Sequence, residues 1–338
     1  MNVDEKIELI TRNVSEIIGE EDLIKLLEEK DEPSCYIGTA PTGIPHVGYF
    51  IWGLKVADLL NAGFRVKILL ADMHAALDNT PWEVLNERYE FYSKIIPLMI
   101  ESMGADVSKL EFVRGSEFQM SKEYIMDIFK LSSITSVHDC HKAASEVVKL
   151  GNSPRLSGYI YPLMQALDEE YLDVDMQIGG TDQRKIMVLA RDKLPQIGYE
   201  KRIELLNPLM PGLIGEKMSS SVAASKIGLL DTPKEIKKKV NSADFEEGNP
   251  DNGIMAFFEN IVFELKKKFN EKLMIERPEK FGGNLEFMSF KDLKKAVIDK
   301  SVHPLDVKMS CAAEIIRMLS KIEENRKDLE ELEKRAYP

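Results

Sequence analysis

Two charged side chains stand out because of what surrounds them. His46 lies in the run CYIGTAPTGIPHVGYF (residues 35–50), and Lys217 sits in GLIGEKMSSS (residues 212–221). In the first run, Gly38 and Gly43 allow a sharp turn or a close backbone approach to a ligand, while Pro41 and Pro45 stiffen it. A helix beginning near His46 would aim its amides and the positive end of its dipole at an anion, a natural phosphate seat. The histidine could donate to a nucleotide phosphate. A rigid loop with a capping histidine is the other reading of this run. It is neither GxGxxG nor a P-loop, since no GK[ST] follows. Lys217 supplies a compact positive charge for a migrating phosphate, and its flanking glycines let it move.

A third constellation lies on YIYPLMQALDEEYL (residues 159–172), where Pro162 suits a first helical turn. Tyr161, Gln165 and Asp168 stand at i, i+4 and i+7 and share one face. A polar stripe on an otherwise apolar helix costs stability unless it meets a partner, either a ligand or an internal hydrogen-bond network. Other polar residues converge from strand ends: Tyr36, His74 after ILLAD, Gln119 after GSEF, and Gln183 after IGGTD. Asp168 can accept a hydrogen bond from a phenol while Tyr36 engages the same oxygen. Tyr161, Gln165 and Gln183 can hold an ammonium group.

The elements that must position these groups read as an α/β chain. Residues 4–30 predict two helical stretches, with Ile7, Ile10, Val14 and Ile17 at helical spacing and Gly19 as the break. Ser34–Ile37 predicts a strand ending at Gly38, and a helix follows near Val47–Leu60. VKILLA (residues 66–71) is the apolar run of a strand buried on both faces of a parallel sheet. Helix-rich sequence fills 81–103, KLEFVRG predicts a strand, and 120–175 is helical. DVDMQIGG (residues 173–180) is a further strand–glycine junction with a helix after it. Such alternation is the signature of a doubly wound sheet. Past about residue 226 the strand signals fade into Lys-rich helical patterns. The expectation is therefore a Rossmann-type α/β domain over 1–225 with a helical insertion at roughly 120–160, then a mainly helical domain over 226–338.

Composition narrows the function classes. The 338 residues are 44% hydrophobic with net charge −12, which suits a globular protein and does not advertise nucleic-acid binding. RNA contact would require local basic runs such as Lys237–Lys239, Lys266–Lys268, or Lys294 with Lys295. No apolar stretch is long enough to cross a bilayer, and the acidic start lacks the order of a signal peptide. Cys35, Cys140 and Cys311 lie far apart with no CxxC pair, which points to a reducing, cytoplasmic setting and small buried hydrophobes.

The histidine turn and the late KMSSS run together resemble the HIGH and KMSKS signatures of class I aminoacyl-tRNA synthetases. Here they read His46-Val47-Gly48-Tyr49 and Lys217-Met218-Ser219-Ser220-Ser221, so Tyr49 replaces the second histidine and Ser220 the second lysine. With YIGTAPTGIPHVGYF, ILLADMHAALD, YPLMQALDEEYL, GGTDQRKI and RPEKFGG…HPLDVK added, the chain is similar over nearly its whole length to tyrosyl-tRNA synthetases of the archaeal and eukaryotic cytosolic type.

That resemblance implies that Tyr36 and Asp168 read the substrate phenol and that Tyr161, Gln165 and Gln183 hold the amino acid's backbone groups. Gly38, Leu69, Ala71, His74, Phe118, Gln119 and Leu172 would line the pocket. Pro41, Thr42, Gly43, His46, Gly48 and Tyr49, with residues 217–221, would hold ATP accompanied by Mg²⁺. His46 and Lys217 would stabilise the pyrophosphate charge as tyrosyl-adenylate forms and passes to tRNA(Tyr). Phe281, His303 and Asp306 would meet the anticodon, and Arg184 and Lys185 the acceptor end. The insertion would form a homodimer, and with the sequence ending at Pro338 no further C-terminal module is expected. The rivals are a tryptophanyl-tRNA synthetase, a small-molecule nucleotidylyltransferase and a catalytically silent RNA-binding homologue.

Overall fold

The first turn of the chain shows how local sequence sets the boundaries. Asn2 and Glu5 form a reciprocal capping box that starts α1 (Val3–Thr11). Arg12 turns extended and Asn13 adopts a left-handed φ of 53°, so the chain leaves the helix there. Val14 and Ile17 therefore do not continue α1 as their spacing suggests. Ile17 lies in β1 (Glu16–Ile18), which pairs antiparallel with β6 (Ile203–Asn207) and covers its otherwise open edge.

The computed structural model describes residues 1–212 and 226–338. Lys217, Met218, Ser219, Ser220 and Ser221 lie outside the described residues. After β1 come α2 (Glu20–Glu29), β2 (Ser34–Thr39), α3 (Phe50–Asn61), β3 (Arg65–Leu70), α4 (Asp72–Leu77), α5 (Leu85–Ser102) and β4 (Leu110–Arg114). The chain continues through α6 (Gly115–Gln119), α7 (Lys122–Ile134), α8 (Val137–Ala144), α9 (Ser157–Tyr171), β5 (Met176–Gly180), α10 (Arg184–Lys193) and then β6.

Among the described residues these strands form one sheet in the order β1-β6-β5-β2-β3-β4, parallel except at β1. The chain winds from β2 outward through β3 and β4, then returns to the other side of β2 for β5 and β6. The switch point between β2 and β5 is where such sheets open a crevice at their carboxyl ends.

One register row explains the polar face of this sheet. Lys67, Tyr36, Gln177 and Glu204 are successive Cα partners across β3, β2, β5 and β6, so their side chains share a face. That face is covered by α9: Lys67 donates to the Leu172 carbonyl and Tyr36 to the Gln165 carbonyl. The helix begins at Ser157, so Pro162 lies inside it rather than in its first turn. A proline there has no N–H to give the Gly158 carbonyl one turn back, so the helix lacks that one hydrogen bond.

The remaining segments are mainly helical: α11 (Pro233–Ser242), α12 (Gly253–Phe257), α13 (Phe263–Phe269), α14 (Phe290–Ile298), α15 (Pro304–Met318), α16 (Ser320–Glu324) and α17 (Arg326–Ala336). A short antiparallel hairpin, β7 (Leu273–Ile275) with β8 (Leu285–Phe287), interrupts them. Three-residue strands carry too little alternation to be seen in sequence. The apolar core is continuous from Val56, Ile96 and Met99 beside the sheet to Phe258, Ile315 and Leu329. A second cluster joins α7, α8, α9 and α10 through Leu131, Ala144, Leu167 and Leu189.

Candidate active site

The crevice at the switch point is a cleft of about 1040 Å³. Tyr36, Gly38, Leu69, Ala71, His74, Tyr161, Gln165, Asp168 and Gln183 line it, and so do Thr42, Gly43, His46, Gly48 and Tyr49. Phe118 and Leu172 pack with Tyr36, Leu69 and Ala71 one layer behind the wall. Pro41 is buried beside the cleft, outside its lining. Gln119 also stands behind it, with its amide on Asp168.

Asp168 is 1% exposed. Its Oδ1 accepts from Gln119 Nε2 at 2.7 Å and from the Tyr124 hydroxyl at 2.8 Å. Burial pushes its carboxyl up to about 7, against the pull of those two donors. Tyr124, on α7, was not identified from the sequence. It lies on the inward side of a helix whose spacing looks like ordinary core, and only the fold brings it to Asp168.

His74 stands on the other side of the carboxylate, with Nε2 3.7 Å from Asp168 Oδ2. Burial lowers its pKa to about 4, so at neutral pH the ring is uncharged and the contact is not an ion pair. Its Nε2 is buried without a hydrogen-bond partner, an acceptor or donor held in readiness at the cleft wall. The ring packs edge-on against Tyr161 at 4.6 Å.

The Tyr36 hydroxyl is fully buried and makes a long 3.4 Å bond to the Gln165 carbonyl. Burial raises its pKa well above the usual phenol, with the nearby Asp168 charge adding to the effect. Gln165 Nε2 donates to Gln183 Oε1 at 2.8 Å, tying α9 to the turn after β5. Gly179 leaves room at that turn: a Cβ there would sit 2.6 Å from Met187 Cε and 3.0 Å from Gln183 Oε1, and the ends of both side chains would have to shift.

Deeper in, Gln177 and Asn207 line the cleft with buried side-chain atoms that lack partners. Glu169 and Glu204 are buried behind them, and their desolvated carboxyls are both pushed well up. No motif marks these four residues; register pairs Gln177 with Glu204, and the packing of α9 on the sheet brings Glu169 to them.

The His46 side of the cleft is built differently. His46 caps a short turn over Val47–Tyr49, its Nδ1 accepting from the Gly48 N–H at 3.2 Å. The capping role is thus realised, and α3 starts later than expected, at Phe50. With Nδ1 accepting, the neutral ring carries its proton on Nε2. Neither Gly38 nor Gly43 has a left-handed φ, and Gly38 lies within β2 rather than beyond it. The turn is held by hydrogen bonds and prolines, and these glycines leave room in the cleft they line. Val47 N–H donates to the Ile227 carbonyl and Leu229 N–H to that of Pro45, at 2.9 and 3.0 Å. The segment following the undescribed residues is thereby bridged to the histidine turn.

Outside the cleft, Phe281 is 60% exposed with Lys280 Nζ 4.9 Å from its ring centre. His303 caps α15 through Nδ1, and Asp306 lies in that helix's first turn. Arg184 pairs with Glu16 and Lys185 with Glu146, and neither lines the cleft. The Lys266–Lys268 run is not a basic patch. Lys266 is buried between Glu271 and Glu314, and Lys268 donates to the carbonyls of Met103 and Gly104. Among the described residues no group of three or more His, Cys, Asp or Glu could hold a metal ion, and no helix is long and apolar enough to cross a membrane.

Residues 28–320 match the family model "tRNA synthetases class I (W and Y)". The cytoplasmic tyrosine–tRNA ligase of Gallus gallus is 48% identical over 99% of this chain and 63% of its own length. The chain thus spans a little under two thirds of the first curated relatives it matches. The Saccharomyces cerevisiae ligase is 46% identical over 98% of this chain and 87% of its own length. Tyrosyl-tRNA synthetase from Archaeoglobus fulgidus, complexed with L-tyrosine, superposes with a TM-score of 0.85 at 37% identity over 99% of this chain and 100% of that one. An Aeropyrum pernix tryptophanyl-tRNA synthetase shares only the fold, at TM-score 0.70 and 16% identity over 94% of this chain and 85% of its own. By these likenesses the chain belongs to the tyrosyl-tRNA synthetase family of class I tRNA synthetases.

Proposed function

We propose that this chain activates L-tyrosine with ATP and transfers it to tRNA(Tyr). The observation that carries the reading is the meeting of Asp168 and Tyr36, from α9 and β2, on one buried end of the cleft. Gln119 and Tyr124 occupy Asp168 Oδ1, which leaves Oδ2 to accept the phenol proton while the Tyr36 hydroxyl donates to the phenol oxygen. Tyr161, Gln165 and Gln183 then receive the ammonium group nearer the mouth. A substrate lacking the hydroxyl leaves both polar groups unpaired in a dry site, a penalty for which tyrosine-activating enzymes are themselves the standard illustration.

The tyrosine carboxylate attacks the α-phosphorus of ATP, forming a C–O–P link as the bond to pyrophosphate breaks. A terminal ribose hydroxyl of the tRNA next attacks the activated carbonyl, and AMP leaves. No side-chain nucleophile is required; positioning and charge stabilisation do the work. His46 donates from Nε2 toward the phosphates, joined by Lys217 and by the Mg²⁺ that accompanies ATP. Phe281 stacks on an anticodon base, flanked by His303 and Asp306, and Arg184 and Lys185 meet the acceptor end. Three buried free cysteines suit a reducing cytoplasm.

A second copy of this chain is the partner best fitted to the outer side of the insertion. Met120, Met126, Phe129, Val137 and Leu156 are 49–73% exposed there, an apolar face that homodimerisation would bury. Phe129→Glu should give a monomer by sedimentation.

Pyrophosphate exchange measured with each of the twenty amino acids tests the main reading. Exchange that depends on tyrosine alone is expected, whereas exchange driven by tryptophan, or by none of them, overturns it.

A further inference from the structure

We propose that Arg88 is a positioning residue for the nucleotide half of the cleft, and that α17 is the strut it ties in place. The inference rests on the reading that this half receives ATP. Arg88, half-buried on α5, donates from Nη1 to the carbonyls of Pro41 (3.3 Å) and Thr42 (2.8 Å) and to Thr80 Oγ1 (3.2 Å). One turn along α5, the Tyr92 hydroxyl donates to the Gly43 carbonyl at 2.6 Å. Three successive carbonyls of the loop before His46 are thus held from the α5 side. In a trans peptide the N–H points opposite its C=O. Pinning the Thr42 and Gly43 oxygens therefore fixes the Gly43 and Ile44 amides on the side away from α5.

The guanidinium is itself held by α17. Arg88 Nε donates to the Ala336 carbonyl at 3.1 Å, and its plane lies 4.5 Å from the centre of the Tyr337 ring. Arg335 secures the same helix to α5 through Glu87 (3.3 Å) and Glu90 (3.2 Å). At the other end of α17, Arg326 donates to the carbonyls of Leu230 (2.8 Å) and Asp231 (3.4 Å). Those residues follow directly on the Ile227–Leu229 segment that bridges to Pro45–Val47. One helix, about 16 Å long by its residue count, therefore braces both backbone segments of the nucleotide side. It is part of the helical region that also carries Phe281 and His303. This gives a contiguous physical link between that region and the ATP loop, distinct from the tyrosine pocket.

The test compares wild type with Arg88→Ala, Arg88→Lys, Tyr337→Ala and Arg326→Ala in tyrosine-dependent pyrophosphate exchange. Thermal melts and calorimetric titration with ATP alone run alongside. Arg88→Ala is expected to lower kcat/KM for ATP by roughly tenfold or more while leaving the KM for tyrosine within about twofold. Tyr337→Ala and Arg326→Ala should move the same parameter by about threefold. Should Arg88→Ala melt below the assay temperature, Arg88→Lys carries the test, because it keeps the stem and charge but loses the fork.

A folded Arg88 variant with unchanged ATP parameters overturns the proposal, and so does one that raises both substrates' KM together. If the wild type binds ATP yet shows no exchange with tyrosine, the function proposed above falls while the ATP titrations still decide Arg88. A wild type that neither binds ATP nor exchanges pyrophosphate overturns both.

Discussion

The two ends of the cleft are built by different means. At the β2/α9 end, side chains shape the site: Tyr36, Asp168, Gln119, Tyr124 and His74 are all fully or nearly fully buried. Each is held by rigid elements, and burial raises the Asp168 carboxyl against the pull of Gln119 and Tyr124. At the His46 end, backbone does the work. The turn over Val47–Tyr49 and the loop at 41–43 are shaped by contacts to their carbonyls and amides from α5 and the 227–229 segment. A dry side-chain site can tell one oxygen atom from none, because an unmet hydrogen bond is costly there. A backbone site suits a ligand whose charge is spread over many oxygens and needs orientation more than discrimination.

Substitutions can separate the two ends, beginning with the largest effect. Asp168→Ala should reduce the preference for tyrosine over phenylalanine by at least about a hundredfold, measured as a ratio of kcat/KM values in exchange. A variant that still rejects phenylalanine would break the comparison. His46→Ala should slow adenylate formation by about thirtyfold, the worth of one hydrogen bond to a charged group, with tyrosine affinity unchanged. Pre-steady-state quench with tyrosine titrated checks the split. Lys217→Ala should act in the same sense as His46→Ala. Phe281→Ala, remote from both ends, should spare activation and weaken tRNA charging by about tenfold, as expected for one stacked base.

The smallest effect is a titration. If ionised Asp168 accepts the phenol proton, kcat/KM for tyrosine should rise a few-fold as pH climbs through about 7. His74, lowered to about 4, contributes nothing in that range. The sign for stability is opposite. The folded state keeps the Asp168 proton to higher pH than the unfolded chain, so stability falls between the ordinary carboxylate range and about 7, then levels off. Asp168→Asn should flatten both dependences. An unchanged profile in that variant would assign the titration elsewhere.

Much of the fold was legible because its signals are local. VKILLA announces a strand buried on both faces, and strand–glycine–helix junctions at 34–50 and 176–193 mark a doubly wound sheet. The helical face of Tyr161, Gln165 and Asp168 follows from spacing and does line the cleft. β1 was hidden because Ile17 keeps helical spacing while a left-handed Asn13 turns the chain. The β7–β8 hairpin was too short to register.

What the sequence determined by itself is the set of chemical groups and the period of each element, since both depend on residues within a turn or two of one another. Only the tertiary structure decided that Tyr124 would reach Asp168, that Gln177 and Glu204 would fall in register with Tyr36, and that Arg88 would join α17 to the loop before His46. Those contacts link residues far apart in the chain, and their energy comes from burial and from directional hydrogen bonds that exist only once the sheet has closed the distance.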